Sequence, residues 1–304
     1  MKHFISIIIV FSIIVAACSS GRPKDVITKK HGDAQYLLIS GNRMFYDGRY
    51  DQAANYYARA KGIYLTIDNQ EGVARAVNNI GELYAIAGDD KSAKQNYDEA
   101  LRIGEQGDIT LVKAVALNNL GALYLKEGRT EDARKNFEKA LNLYEAGKDN
   151  VGTGVALSNL GLSYIKKGDF AEAEMLLNQA LKILKPTKNH RSIASVFQNF
   201  GRLYEAKGDY ENALLNYEYG LKEDKLIEYS VGIADDLIKI ANIYERMNDS
   251  KKALSYYERA YDIYNKLKFQ KDLISTGESI IRLAGSTGDS GITKKYKLEL
   301  KELK

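Results

Sequence analysis

The sequence of 304 residues has one cysteine, two prolines, three histidines and no tryptophan. A single cysteine, Cys18, excludes an internal disulfide, and beyond it the chain has no thiolate metal ligand and no cysteine nucleophile. His31 and His190 are far apart in sequence, and we interpret both as surface or loop residues. A glycine-rich phosphate loop and a Ser-His-Asp arrangement are missing as well. We therefore predict no catalytic residue, no metal site, no cofactor and no enzymatic activity.

The sequence also lacks a large excess of charge of one sign. The formal net charge is +4, and basic and acidic residues are interspersed along the chain. A nucleic-acid-binding domain would need a basic stripe on one face. We therefore predict that the protein has no nucleic-acid partner.

What the sequence does contain is a repeat of 40 residues without slippage. We use the word column for a set of positions spaced by 40 residues. A fixed period of roughly 20 to 50 residues indicates a solenoid of stacked units. The most regular columns contain Gly41, Gly81, Gly121, Gly161 and Gly201; Tyr84, Tyr124, Tyr164, Tyr204 and Tyr244; Gly48, Gly88, Gly128, Gly168 and Gly208; and Ala53, Ala93, Ala133, Ala173, Ala213 and Ala253.

Each unit has the pattern of a helical hairpin. Val77, Ile80, Gly81 and Tyr84 are spaced i, i+3, i+4 and i+7, so they form one face of a first helix. Glycine inside a helix costs about 1 kcal/mol relative to alanine, so we expect the second helix to approach Gly81 closely. We expect Gly88 to end the first helix. The second helices would be capped by Asp89, Asp169, Asp209 and Asp249. We interpret nine of the 22 tyrosines as core residues, namely Tyr84, Tyr124, Tyr164, Tyr204, Tyr244, Tyr57, Tyr97, Tyr217 and Tyr257.

These columns, as in the run from Asn119 to Ala140, resemble the tetratricopeptide repeat. The resemblance covers about residues 34–273. It implies an all-α fold, a right-handed α-solenoid of stacked helical hairpins. The period of 40 residues departs from the usual ~34 and is similar to a long-helix subclass found in scaffold proteins.

The first residues are typical of a bacterial lipoprotein. Residues 1–17 have an apolar run from Phe4 to Val15, shorter than the ~20 residues of a membrane-spanning helix. The end of this run resembles a lipobox, which implies cleavage before Cys18 and lipidation of its thiol; the alternative is an ordinary secretory signal and a chance cysteine. We predict a lipid-anchored, extracytoplasmic protein at the cell membrane or outer membrane, on the periplasmic side in a bacterium with two membranes. Residues 18–32 would be the lipidated cysteine and tether, residues 33–273 six repeats, and residues 274–304 capping helices.

The resemblance also implies that the first helices line a concave groove. Asparagine occupies one column of this lining in four consecutive units, where its amide could pair with an extended peptide. The alternative is that these asparagines join neighbouring helices. Lys and Arg outnumber acidic residues in the lining, which favours an acidic or carboxylate-bearing partner segment. The candidate groove residues are Arg75, Asn79, Glu82, Val115, Asn119, Lys126, Val155, Asn159, Leu162, Lys166, Asn199, Arg202, Lys239, Asn242 and Arg246.

We therefore predict a membrane-anchored scaffold that binds an extended or helical protein segment during the assembly of cell-envelope complexes. The alternative is a sensor or carrier lipoprotein for a small molecule or free peptide. That alternative would need a closed apolar pocket with few polar groups, whereas the Lys- and Asn-rich lining favours an open groove. The partner and the oligomeric state stay open.

Overall fold

The computed structural model of the protein describes residues 23–303, which form 14 helices joined by short turns and contain no strand. One turn of 3-10 helix, Lys185–Thr187, follows the eighth helix. The helices are α1 (Pro23–Tyr46), α2 (Tyr50–Thr66), α3 (Gln70–Ala87), α4 (Asp90–Gln106), α5 (Thr110–Lys126), α6 (Thr130–Ala146), α7 (Asn150–Lys167), α8 (Phe170–Leu184), α9 (His190–Ala206), α10 (Tyr210–Leu226), α11 (Ser230–Arg246), α12 (Ser250–Leu267), α13 (Gln270–Ser286) and α14 (Ser290–Leu303).

The helices form seven antiparallel hairpins in strict register. From α3 onward, each first helix begins 40 residues after the one before it, and the second helices α2 to α14 do the same. Every helix packs on the next one in the chain, and first helices of neighbouring repeats contact each other as well. The predicted all-α solenoid is confirmed. We number the repeats from α1–α2 (repeat 1) to α11–α12 (repeat 6).

The glycines inside the first helices allow close helix packing. A Cβ atom added to Gly81 would lie 2.6 Å from Cε1 of the Tyr97 ring, and one added to Gly121 would lie 2.6 Å from Cε1 of Phe137. Both ring-bearing residues are at most 3% exposed. The second helix therefore lays a large side chain directly on the backbone of the first, as the glycine column predicted.

The turns inside the hairpins use the left-handed backbone conformation. Gly88 has φ +80°, and Asn248 adopts φ 60° in the one repeat that lacks glycine at this place. The Asp89 carboxylate caps α4 by accepting a hydrogen bond from the Ser92 backbone N–H at 3.0 Å. Equivalent bonds are made by Asp209 and Asp249. The cap predicted at Asp169 is wrong, because its side chain accepts no such bond.

The tyrosines of the first helices are less buried than expected. Tyr84 is 40% exposed, whereas Tyr97 on the second helix is 3% exposed. Tyr84 lies one turn before the end of its helix, where no helix covers the outer side of the ring. In the next repeat a cation fills this place, since the Arg129 guanidinium carbon lies 4.0 Å from the centre of the Tyr124 ring. The core interpretation therefore fails for Tyr84 and holds only in part for Tyr124, Tyr164, Tyr204 and Tyr244, which are half-buried.

Both ends of the chain differ from the sequence-based expectation in detail. Helix α1 begins at Pro23, inside the segment 18–32 that was predicted as a tether. Proline suits the first turn of a helix, and residues 26–33 show no apolar period because they are exposed on all sides. The predicted signal peptide and Cys18 lie outside the described residues. At the other end, α13 and α14 form a seventh, shorter hairpin around residues 274–303. No helix within residues 23–303 is both long and apolar enough to cross a membrane.

Candidate functional site

The inner surface of the solenoid contains three cavities lined mainly by the first helices. The central cavity has a volume of about 640 Å³ and the N-terminal cavity about 490 Å³; they share Tyr46, Val115, Asp149 and Val151, so they adjoin each other. The third cavity, which we call the basic cavity, has a volume of about 510 Å³ and lies on repeats 3 to 5. It is lined by Ala122, Leu125, Lys126, Phe137, Asn159, Leu162, Lys166 and Arg202. A depression of about 550 Å³ on the last hairpin is more open to solvent and contains none of the predicted residues.

Ten of the fifteen predicted groove residues line these cavities. Glu82, Val115 and Val155 line the central cavity, and Arg75 and Asn79 line the N-terminal cavity. The basic cavity contains the other five, namely Lys126, Asn159, Leu162, Lys166 and Arg202. The structure places Asn119, Asn199, Lys239, Asn242 and Arg246 outside these cavity walls.

The asparagine column joins neighbouring repeats. The Asn79 amide donates to Oδ1 of Asn42 at 2.9 Å, and the Asn159 amide donates to Oδ1 of Asn118 at 2.9 Å. The Asn119 amide bonds to Asn78 in the same way, and that of Asn199 bonds to Ser158. The amides thus join neighbouring helices, which is the alternative considered above. Asn119 and Asn199 each make two donor contacts, whereas Asn79 and Asn159 each keep one N–H group that could still bind a peptide.

The basic residues of the lining are partly neutralised by carboxylates that are not among the predicted groove residues. Lys126 forms an ion pair with Asp90 at 2.5 Å, and Arg246 forms one with Glu205 at 3.3 Å. Lys239 contacts the buried Asp236 at 3.1 Å. The excess of positive charge counted from the sequence is therefore smaller in the folded protein.

Glu82 is one of two carboxylates that line the central cavity, the other being Asp149. Its side chain is partly accessible to solvent, but it lies deep inside the solenoid with protein on all sides, and this desolvation raises its pKa above the ordinary value. The Arg191 charge and a hydrogen bond from Asn119 (3.2 Å) oppose the increase. The inner surface therefore disfavours an isolated negative charge at Glu82.

Sequence reasoning missed the contact that joins the two ends of the array. Tyr46 at the end of α1 meets Tyr229 before α11, with ring centres 6.2 Å apart in an edge-to-face arrangement. Tyr50 stacks on Phe269 at 5.3 Å. A Cβ atom added to Gly48, in the turn between these two tyrosines, would lie 3.0 Å from the same phenylalanine ring. We call this contact between repeat 1 and the region of repeat 6 the closing contact; it joins the two ends of the array across the groove.

Arg191, in the first turn of α9, lies at this contact. Its guanidinium carbon is 4.2 Å from the centre of the Tyr46 ring and 4.9 Å from that of Tyr229. The residues 40 positions before and after it are Val151 and Val231. An arginine between valines of the two neighbouring repeats was the available signal, but only the superhelical path of the chain brings repeat 1 next to it.

A second departure from the repeat is a pair of buried carboxylates. Asp224 of α10 and Asp236 of α11 are 1% and 0% exposed. The Gln198 amide donates to Asp224 at 3.5 Å and Lys239 donates to Asp236 at 3.1 Å, while Oδ2 of Asp236 has no hydrogen-bond partner among the described residues. Burial raises the pKa of Asp224 to about 7 and that of Asp236 to about 6.

No group of three or more His, Cys, Asp or Glu residues within 23–303 is arranged to hold a metal ion.

Several solved structures share the fold of the chain. The Rap conjugation gene regulator of plasmid pLS20, in complex with the Phr* peptide, matches with a TM-score of 0.65 at 19% identity, covering 89% of this chain and 72% of that chain. A Rap protein complexed with competence and sporulation factor gives 0.62 at 16%, covering 90% and 76%. Aspartyl phosphate phosphatase F from Bacillus subtilis gives 0.58 at 13%, covering 93% and 73%.

At these identities the similarity shows the fold alone. No curated protein is significantly similar to the chain in sequence. A tetratricopeptide-repeat family profile matches residues 40–106, 112–186 and 153–222, and a second profile of the same repeat matches residues 237–271. These matches cover more than half of the chain and fall on the helical hairpins described above. The chain therefore belongs to the tetratricopeptide-repeat family.

Proposed function

We propose that the protein binds an extended segment of a partner protein along the inner surface of its solenoid. The observation that carries the proposal is that the central and N-terminal cavities adjoin each other and together follow the first helices of repeats 1 to 5. Their walls combine apolar side chains such as Val115 and Val155 with a few polar groups. A preformed surface of this kind avoids part of the ordering cost of binding. Tetratricopeptide repeats are protein-interaction scaffolds, and one similar structure is a peptide complex.

The proposal places the protein at a membrane on its extracytoplasmic side, anchored by a lipid on Cys18. The support for this part comes from the sequence alone, because the apolar run before Cys18 ends in a lipobox-like motif. In this arrangement the scaffold would hold a cell-envelope protein close to the membrane. Incorporation of radiolabelled palmitate tests it: the label should be lost in Cys18→Ser, and the protein should move to the soluble fraction. Retained label in the variant would contradict the anchor.

The closing contact favours a second candidate, the binding of a short free peptide. With repeat 1 in contact with Tyr229 and Phe269, the groove is bridged between the two ends of the array, and a bridged groove admits a chain end more readily than an internal segment of a large protein. Such a protein would act as a peptide sensor or carrier. Both candidates use the same inner surface, and they differ in the size of the ligand.

Site-specific photocrosslinking in cells that express the full chain separates these possibilities. The crosslinking residue p-benzoylphenylalanine replaces Val115 in the cavity wall. A matched control carries it at Leu215, which is 44% exposed on the second helix α10 and lines none of the cavities. Both variants are first checked for helical circular dichroism.

We expect a crosslinked product at Val115 and none at Leu215. A product larger by the mass of a protein supports the scaffold, and a mass increase of about one kilodalton supports the peptide sensor. Products only at Leu215 would move the interface to the outer surface. Absence of any product at Val115, and also at Leu162 in the basic cavity, would refute binding on the inner surface.

A further inference from the structure

Arg191 is a cation in the wall of the central cavity. No carboxylate among residues 23–303 lies within 4.0 Å of its guanidinium, and none of these residues makes a hydrogen bond to it. Of the other cations predicted for the inner surface, Lys126, Lys239 and Arg246 each contact a carboxylate at 2.5–3.3 Å, whereas Arg75, Lys166 and Arg202 resemble Arg191 in forming no ion pair with a described residue. Five N–H donors therefore remain available at Arg191.

Two aromatic rings hold this guanidinium in place. Tyr46 comes from repeat 1 and Tyr229 from the turn before repeat 6, and their ring centres lie 4.2 Å and 4.9 Å from the guanidinium carbon. Contacts of this kind attract the cation without using its N–H donors. The side chain is thus ordered before any ligand arrives, which reduces the entropy lost on binding.

The surroundings of Arg191 suit a ligand that ends in, or carries, a carboxylate. The central cavity of about 640 Å³ has room for a few residues of a peptide, and Val115, Val155 and Ile227 supply apolar walls. Glu82 and Asp149 lie in the same cavity. The Asp149 carboxylate already accepts a hydrogen bond from the Gly152 backbone N–H at 3.0 Å, and the Asn119 hydrogen bond and raised pKa of Glu82 reduce the competition of Glu82 for the guanidinium. A guanidinium binds a carboxylate with two parallel hydrogen bonds, and exclusion of water strengthens them.

We propose that Arg191 is the receptor for a carboxylate group of the bound peptide, with Tyr46 and Tyr229 as its positioning residues. The carboxylate is either the free C-terminus or an Asp or Glu side chain. This inference rests on the proposed function, because it names the chemistry that the inner surface recognises. It also explains why arginine stands in a column that contains valine 40 residues before and after it.

Three pools of N-acetylated random heptapeptides serve as probes. The first pool has free C-termini and lacks Asp and Glu, the second is C-terminally amidated and contains Asp and Glu, and the third is amidated and lacks both. Peptides retained by the full chain are identified by affinity-selection mass spectrometry. Their Kd values are then measured by fluorescence anisotropy for the wild type, Arg191→Val, Arg191→Lys and Arg102→Val.

Each variant has a defined purpose. Arg191→Val introduces the residue found at the matching positions of the neighbouring repeats, so the helix should be kept. Arg191→Lys keeps the charge and loses the paired hydrogen bonds. Arg102→Val is the matched control, since Arg102 is exposed on α4 and bonds to Gln106 at 2.9 Å. Circular dichroism and thermal unfolding confirm that each variant is folded.

We expect peptides from the first or second pool and none from the third, and the selected pool identifies the source of the carboxylate. Arg191→Val should raise Kd about tenfold or more, Arg191→Lys several-fold, and Arg102→Val not at all. Equal binding of the third pool, or an unchanged Kd in both Arg191 variants, would overturn the carboxylate receptor and leave the proposed function standing. If the wild type retains no peptide from any pool, the proposed function fails together with this inference.

Discussion

The buried pair Asp224 and Asp236 predicts that repeats 5 and 6 are more stable in mild acid than at neutral pH. In an unfolded chain both carboxyl groups have a pKa near 3.9, whereas burial raises the pKa of Asp224 to about 7 and that of Asp236 to about 6. Between about pH 4 and pH 7 the folded state therefore binds more protons than the unfolded state. By linkage, the free energy of unfolding falls as pH rises through this window.

The size of the effect follows from the burial of the pair. One pKa unit corresponds to about 1.4 kcal/mol, and two coupled carboxylates share their shifts, so we expect a loss of about 3 kcal/mol between pH 5 and pH 8. Lys239, at 3.1 Å from Asp236, and Arg191 act against this loss, while the exposed Asp235 adds to it. The proposed substitution is Asp224→Asn, which removes one charge and keeps a hydrogen-bond acceptor for Gln198.

The assay is urea unfolding followed by circular dichroism at 222 nm, at pH 5, 6, 7 and 8. Asp224→Asn should raise the urea midpoint at pH 8 and reduce its dependence on pH, while changing little at pH 5. The matched control is Asp262→Asn, at an exposed position in the middle of α12, which should reproduce the wild-type profile. A lower midpoint for Asp224→Asn at pH 8, or an unchanged slope against pH, would refute the argument that buried charge sets this dependence.

Three further predictions concern packing, the turns and the closing contact. Gly81→Ala should lower the free energy of unfolding by about 1–2 kcal/mol, because its Cβ would lie 2.6 Å from an aromatic ring. In Gly161→Ala the Cβ would lie 3.0 Å from a leucine side chain, and the loss should be less than about 1 kcal/mol. Equal losses in urea unfolding would contradict the packing argument. Asn248→Gly should raise the thermal midpoint by the equivalent of about 0.5 kcal/mol, because its φ of 60° suits glycine, and a lower midpoint would show that the amide side chain has a role of its own. Tyr50→Ala removes the stacking on Phe269 and should increase the radius of gyration measured by small-angle X-ray scattering; an unchanged scattering profile would show that the ends stay together without it.

The repeat itself could be read from the sequence because its determinants are local. The glycine of each first helix, such as Gly81, packs under a residue 16 positions later, and both lie within one hairpin. The same holds for Gly88, whose left-handed conformation ends α3. These contacts span few residues and recur wherever the sequence motif recurs. A period of 40 residues is therefore sufficient to place the helices.

The parts that could not be predicted depend on the path of the whole solenoid. Tyr46 and Tyr229 are separated by more than four repeats, and only the summed rotation of those repeats brings their rings to 6.2 Å. The positive charge of the groove was overestimated because the sequence alone did not show which carboxylates pair with its basic residues. Asp90 and Glu205 are not among the predicted groove residues, yet they form ion pairs with Lys126 and Arg246.

The residues that depart from the repeat are connected electrostatically. Arg191 lowers the pKa of both Asp224 and Glu82, against the larger effect of burial. A ligand carboxylate bound to Arg191 would neutralise part of this influence and raise both pKa values, so binding would be accompanied by proton uptake near pH 7. Affinity should then increase as pH falls from 8 to 6, and calorimetry of a selected peptide in buffers of different ionisation enthalpy measures the uptake directly. In Asp224→Asn the uptake should decrease; an uptake equal to that of the wild type would show that the carboxylate pair and the inner surface act independently.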